Sequence, residues 1–196
     1  MLLEKPSPIL QESSRVVLET ARLVLRRPTL ADVKAIARLA NDRRIAHNTT
    51  RIPHPYAVSD AETFVNFVAQ QPQDTNFLIT RDDEVVGGIG IDLSKSAAPE
   101  LGYWLGVAHW GEGYATEAAR AVIDYGFEEF GSAELRAGAR VVNPASRRVL
   151  EKCGFQWTGV ELRRVVSLGC SVPVDRFRLD RGVWSSLKSW RNAVRH

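Results

Sequence analysis

The stretch Trp110-Gly111-Glu112-Gly113-Tyr114-Ala115-Thr116-Glu117-Ala118 decides how this chain is read. It lies between an apolar run, Leu101 to Val107, and a strongly periodic segment, Tyr114 to Phe130. In that second segment Ala119, Ile123, Phe127 and Phe130 fall on one side, and Glu117, Arg120, Asp124 and Glu128 on the other. This is the spacing of a helix with one buried face. Two glycines one residue apart, between a strand and such a helix, form a turn whose backbone can approach a ligand closely. The helix adds unpaired N–H groups and the positive end of its dipole. The combination is an anion site, and a phosphate group fits it.

Phosphate-bearing ligands differ in the glycine pattern they need. A nucleotide P-loop requires Gly-x-x-x-x-Gly-Lys followed by Ser or Thr, and no Lys-Ser or Lys-Thr follows these glycines. A dinucleotide fold requires a third glycine where Thr116 stands. The earlier Gly88-Ile89-Gly90 also lacks its third glycine and lies inside a β-like run. The reading that remains is the pyrophosphate of coenzyme A.

Working outward, Arg22-Leu23-Val24-Leu25-Arg26 alternates polar and apolar residues, as a half-buried strand does. Thr29, with Asp32 in the capping-box position, predicts a helix whose buried face is Val33, Ile36, Ala37 and Ala40. Asn48 to Tyr56, with two prolines, reads as a loop. Ser59 with Glu62 predicts the cap of the next helix, faced by Phe64, Val65 and Val68. Phe77 to Thr80 and Val85 to Leu93 read as a hairpin around Arg81-Asp82-Asp83-Glu84, and Glu100 to Val107 as a further strand. Beyond the long helix, Leu135 to Val142 is a strand. Asn143-Pro144 opens a short helix that Gly154 ends. Phe155 to Val166 and Val174 to Leu179 close as a hairpin before a last amphipathic helix. No internal repeat is visible. The predicted order is β-α-α-β-β-β-α-β-α-β-β, an α/β chain with a mixed sheet and helices on both faces.

Composition narrows the function classes. A chain of 196 residues suits one domain, expected over 15–196 behind a flexible N-terminal arm at 1–14. With 44% apolar and 25% charged residues it is an ordinary globular chain. The net charge of +3, without a basic stripe interleaved with aromatics, argues against nucleic acid. Cys153 and Cys170 form no CxxC motif, so neither zinc nor redox chemistry is signalled, and two thiols in a reducing cytoplasm are expected. The opening Met1-Leu2-Leu3-Glu4-Lys5-Pro6 is not a signal peptide, and no apolar run approaches the ~20 residues of a membrane helix.

Three segments together carry a family resemblance. They are Glu100-Leu101-Gly102-Tyr103-Trp104-Leu105, the glycine stretch, and Asn143-Pro144-Ala145-Ser146-Arg147-Arg148-Val149-Leu150-Glu151-Lys152-Cys153-Gly154-Phe155. They resemble the GCN5-related N-acetyltransferases (GNAT), and more narrowly the branch containing the RimJ and RimL ribosomal-protein N-terminal acetyltransferases. Thr20 to Arg26 resembles that branch's first strand, so the likeness runs from about Leu18 to Trp184 in family order. It implies a mostly antiparallel twisted sheet of about seven strands, splayed between the fourth and fifth. It departs from the general family at Ala108, where Gln or Arg usually begins the phosphate signature; this branch often lacks that residue.

The resemblance also implies roles for residues. Amides from Gly111, Glu112, Gly113, Tyr114 and Ala115 to Thr116 would hold the pyrophosphate. Trp104, Leu105 and Val107 would lie along the pantetheine arm, with amides near Leu105 stabilising the thioester oxyanion. The Asn143 side chain would bond the same arm, besides capping its helix. Ser146 shares a helix face with Leu150 and Cys153 and would protonate the departing thiolate; a hydroxyl satisfying the backbone near a helix start is the structural alternative. Glu100 is the first candidate base for the amine and Asp92 the second, against a reading of Glu100 as a strand-end surface acid. His47 and His54 flank the loop where this family builds its acceptor site. Arg147 and Arg148 are candidates for the 3′-phosphate of coenzyme A, against a reading as a solvent-facing basic pair.

The expected activity is N-acetyl transfer from acetyl-CoA to a primary amine in one ternary complex, without a metal. A protein N-terminal α-amine is the favoured acceptor; an amino acid, polyamine or amino sugar is the alternative. A non-catalytic acyl-CoA sensor is a third reading, which the co-occurrence of Glu100, Asn143 and Ser146 disfavours. A homodimer is consistent with exposed sheet edges.

Overall fold

The computed structural model describes residues 16–93 and 98–194; the arm expected at 1–14 lies outside the described residues. One sheet of eight strands runs through the fold. The strands are β1 (Val17–Glu19), β2 (Val24–Arg26), β3 (Asn76–Arg81), β4 (Glu84–Asp92), β5 (Glu100–Leu105), β6 (Glu134–Arg140), β7 (Gln156–Val165) and β8 (Cys170–Asp180). Their order across the sheet is β1-β2-β3-β4-β5-β6-β8-β7. The strand beyond the seven expected is β1, which folds back on β2 with Leu18 opposite Leu25.

Among the described residues there are six α-helices: α1 (Val33–Ala40), α2 (Arg43–Ala46), α3 (Val58–Ala69), α4 (Tyr114–Phe130), α5 (Pro144–Lys152) and α6 (Arg181–Val194). Val33 and Ile36 of α1 and Ala61 and Val65 of α3 pack on Leu78 and Val85. On the other face, Ala118, Val122 and Phe127 of α4, Leu150 of α5 and Trp184 of α6 join Phe77, Ile79, Ile91, Leu101 and Leu135 in the main core. Phe127 and Trp184 stack at 4.8 Å.

Local chemistry explains most boundaries. The β3–β4 turn is two residues, Asp82 and Asp83, both at positive φ (49° and 64°), a geometry that aspartate tolerates. Ahead of α1, Asp32 accepts from the Thr29 amide and hydroxyl at 2.8 Å each, and from Arg26 at 2.7 and 2.9 Å. Burial raises the Asp32 pKa, but these donors outweigh it and hold the carboxyl below its ordinary range.

Some expected boundaries move. Helix α3 starts at Val58 rather than after Ser59, because Asp60 accepts from the Ala57 amide at 2.7 Å and supplies the cap itself. The strand expected to reach Val107 ends at Leu105, and Val107–His109 form a single 3-10 turn. Gly88 and Gly90 belong to β4: a Cβ on Gly88 would stand 2.8 Å from Trp104 Nε1, and one on Gly90 2.6 Å from the Thr75 carbonyl. Close packing within the sheet, rather than a ligand, explains these glycines.

Candidate active site

Gly111 and Gly113 both lie in the left-handed region, at φ 86° and 80°, and Gly113 caps α4. A residue with a Cβ is strained there. The Gly113 carbonyl takes the Thr116 and Glu117 amides at 3.1 Å each, so the amides of Tyr114 and Ala115 precede the first helical bonds. The Tyr114 side chain is fully buried, with the Arg22 guanidinium 4.7 Å over its ring, so only its backbone faces the loop. Glu117 ties the start of α4 to the β1–β2 turn through Arg22 at 2.7 Å and the Thr20 hydroxyl at 2.7 Å.

Between this loop and the sheet lies a gap. Strands β5 and β6 are parallel, and they pair only at Glu100↔Arg136 and Leu101↔Ala137. Both continue, β5 to Leu105 and β6 to Arg140, so they diverge. The hydrogen-bond phase fixes what faces the gap. Gly106 donates to the Val86 carbonyl at 2.9 Å, and Ile91 turns its amide to Thr75, away from β5. Leu101, Tyr103 and Leu105 therefore stand at the non-hydrogen-bonded positions against β4, and their N–H groups point toward β6. Past Leu101 the partner strand has moved away, which leaves the Tyr103 and Leu105 amides facing the opening. The Leu105 carbonyl is taken by the Trp110 indole at 2.9 Å, a tether between strand and glycine loop.

On the main-core side of the gap stands Ser146. Its amide donates to Asn143 Oδ1 at 3.1 Å, so Asn143 caps α5 through oxygen and keeps its Nδ2 donors. The Ser146 Oγ lies 2.8 Å from the Tyr103 hydroxyl, a contact in which either oxygen can donate, and the one phenol hydrogen has the Ser146 carbonyl at 3.1 Å as its other acceptor. Burial pushes the Tyr103 phenol well above its ordinary range, against the opposing pull of the Ser146 hydrogen bond. Sequence reasoning gives the Tyr103 side chain no chemical role. Its hydroxyl nevertheless meets the predicted acid.

The other side of the gap opens into a cleft of about 970 Å³ between the sheet and α1–α3. Phe64, Phe67 and Tyr56 line one side, and the loop Asn48–Pro53 closes another. Gly102 leaves the floor bare: nothing lies within 4 Å of where its Cβ would be. Trp104 and Ser146 border the same space, so the cleft and the gap are continuous.

Charged residues gather at one end of the cleft. Glu100 accepts from Arg176 at 3.1 and 3.2 Å and from Arg163 at 3.2 Å, with its side chain only 16% exposed. Directly across the strands from it, Asp92 is ion-paired with Arg51. Both carboxylate oxygens of Glu100 are thus held by guanidinium donors. His47 and His54 are absent from the cleft lining; His47 offers only its carbonyl, to Arg140 at 2.8 Å. Arg147 bonds Glu151 at 2.9 Å on an exposed face, with Arg148 exposed beside it. Among the described residues no group of His, Cys, Asp and Glu is clustered to hold a metal, and no helix is long and apolar enough to cross a membrane.

Residues 22–156 match the family model described as an acetyltransferase (GNAT) domain. The uncharacterized N-acetyltransferase YoaA of Bacillus subtilis is 35% identical over 153 residues, 74% of this chain and 85% of that one. The uncharacterized N-acetyltransferase p20 of Bacillus licheniformis is 30% identical over 149 residues, 73% of this chain and 84% of that one. This chain belongs to the GNAT acetyltransferase family. It is thereby an acetyl-CoA-dependent acetyltransferase. Among solved structures, Mycobacterium smegmatis RimJ in complex with CoA-disulfide is 22% identical and aligns with a TM-score of 0.75, over 86% of this chain and 89% of that one. That likeness shows the same fold.

Within the GNAT frame, two features were invisible in the sequence. One is the contact between Tyr103 and Ser146, which are 43 residues apart. The other is the capture of Glu100 by arginines 63 and 76 residues away. Neither leaves a local signature, because long-range side-chain pairs obey no spacing rule.

Proposed function

We propose that this GNAT enzyme transfers the acetyl group of acetyl-CoA directly to a primary amine, favouring a protein N-terminal α-amine. The observation that carries the reading is the pair of Tyr103 and Leu105 amides turned into an opening with the glycine loop at one end and the cleft at the other.

The amides from Gly111 to Thr116 bind the pyrophosphate, with Glu112 contributing backbone only. The arm enters along Trp104, Leu105 and Val107 and takes hydrogen bonds from the strand amides and from Asn143 Nδ2. An acceptor in the cleft presents its neutral amine. Nitrogen attacks the thioester carbon, and the Leu105 amide stabilises the oxyanion. The new C–N bond forms as the C–S bond breaks. Ser146 passes its hydroxyl proton to the departing thiolate, and Tyr103, 2.8 Å behind it, donates to the serine oxygen as that proton leaves. The proton lost by the amine goes to water, which returns one to the hydroxyl pair.

The base role expected for Glu100 is reduced here. Its carboxylate orders Arg163 and Arg176, and Asp92 orders Arg51. An α-amine, with a pKa of about 8, is partly neutral at physiological pH, whereas a lysine amine at about 10.4 is not. A site with its carboxylates engaged therefore suits an α-amine better. Free-thiol release from acetyl-CoA tests the assignment with peptides whose N-terminus is free or blocked. Release only with the free form supports it; release with N-blocked lysine peptides alone overturns the acceptor.

A further inference from the structure

Among the described residues four arginines line the cleft, and three of them face carboxylates. Arg51 pairs with Asp92, while Arg163 and Arg176 share Glu100 and Glu161. Arg140 differs: among the described residues no carboxylate pairs with it. Its Nη1 donates to the His47 carbonyl at 2.8 Å, and its Nε is buried without a partner.

The position of Arg140 follows from β6. Leu135, Ala137 and Ala139 are buried in the main core, so the alternate residues, ending in Arg140, face the cleft. Ala137 lies beside Leu101 in the parallel register. Three residues further along each strand, Arg140 stands across the opening from Trp104. A second unsatisfied group belongs to the same lining. Asn48, next to His47 in the chain and part of the same cleft lining, spends Nδ2 on the Arg44 carbonyl at 2.8 Å, while its Oδ1 is buried with no partner. A partly buried guanidinium without a counter-charge, with an unpaired amide oxygen in the same lining, is costly unless a ligand supplies what both lack. Arg140 lacks an oxyanion, and Asn48 lacks an N–H or O–H donor.

We infer that the acceptor carries a carboxylate, which docks on Arg140, next to a polar hydrogen that bonds Asn48. This rests on the reading of the cleft as the acceptor site. It selects amino acids and acidic N-terminal peptides over polyamines and aminoglycosides, whose positive charges the unpaired guanidinium repels.

Matched acceptors that differ in one carboxylate test this: L-alanine against L-alaninamide, and Ala-Glu-amide against Ala-Gln-amide, with spermidine as the cationic control. In the wild type, kcat/KM for the carboxylate member of at least one pair is expected to exceed its amide partner about tenfold or more, as one charge-assisted bidentate contact provides. In Arg140→Gln the ratio is expected to fall to near one, with Arg140→Lys in between because it keeps the charge but not the fork. An equal ratio in wild type and Arg140→Gln, or a preference for spermidine, overturns the inference while leaving acetyl transfer intact. If no amine is acetylated, the acetyltransfer reading of the cleft fails. The anion site is then judged by calorimetry with N-acetyl-Ala-Glu-amide against N-acetyl-Ala-Gln-amide. Binding that favours the glutamate form and is lost in Arg140→Gln supports the site, and equal binding refutes it.

Discussion

The Tyr103 hydroxyl lies 2.8 Å from the Ser146 Oγ, joining a strand at the splay to the first turn of α5. Each is explicable alone, one as core and one as a residue near a helix start. Together they place a chain of two hydroxyls beside the opening, where the proposed mechanism has the thiolate depart. Ser146→Ala is expected to lower kcat by about a hundredfold while acetyl-CoA affinity changes little, because the hydroxyl acts only as the C–S bond breaks. Tyr103→Phe, which keeps the ring and removes the relay, is expected to lower kcat by roughly tenfold. Steady-state kinetics beside calorimetric acetyl-CoA binding checks both. An unchanged kcat in Ser146→Ala removes the serine from the chemistry.

The pH dependence follows from the acceptor. If the neutral amine is the reacting form and water takes its proton, kcat/KM with an α-amine rises with pH and levels off above a pKa of about 8. Glu100→Gln is expected to retain that profile, since the carboxylate is bound by Arg163 and Arg176. A rising limb that disappears in Glu100→Gln would restore Glu100 as the base.

Stability is expected to depend on pH through Asp32. Burial raises its pKa, but Arg26 and the Thr29 amide and hydroxyl outweigh that, so the folded pKa is below the ordinary 3.8. The sign is that of a depressed acid: the stabilisation is complete above the ordinary pKa and is lost as pH falls through the lower folded value. Asp32→Asn loses a charge-assisted bidentate contact, costing on the order of 2 kcal/mol near neutral pH. Thermal melts should show a Tm deficit that is constant above about pH 5 and narrows in strong acid. A deficit that widens on acidification contradicts the assignment.

Thiol reactivity should separate the cysteines. Cys153 is buried, and burial pushes its thiol up to about 11, outweighing the nearby Arg120 and Arg191. Cys170 is exposed. A disulfide reagent at pH 8 should label Cys170 in the native protein and Cys153 only after denaturation. Rapid labelling of Cys153 in the folded protein would contradict this packing.

What the sequence made legible was local. The glycines at 111 and 113 specify their turn through φ, the helix from Tyr114 through its apolar stripe, and Asn143-Pro144 through capping chemistry. The divergence of β5 and β6 was accessible only through family likeness, because strand separation has no composition. β1 was missed because its three residues have little buried surface to pattern. The true cap of α3 was missed because Ser59 fits the capping rule as well as Asp60 does. Arg140 reads as an ordinary strand-end cation until the fold sets it against His47, 93 residues away.

Quantifying free coenzyme A, and identifying the product by mass spectrometry, when the protein meets acetyl-CoA and peptides differing only in a free or blocked N-terminus tests the central claim most directly. The account predicts saturable thiol release matched one for one by N-terminally acetylated peptide, and none from the blocked peptide. Tight acetyl-CoA binding with no acetylated product from any primary amine would contradict it.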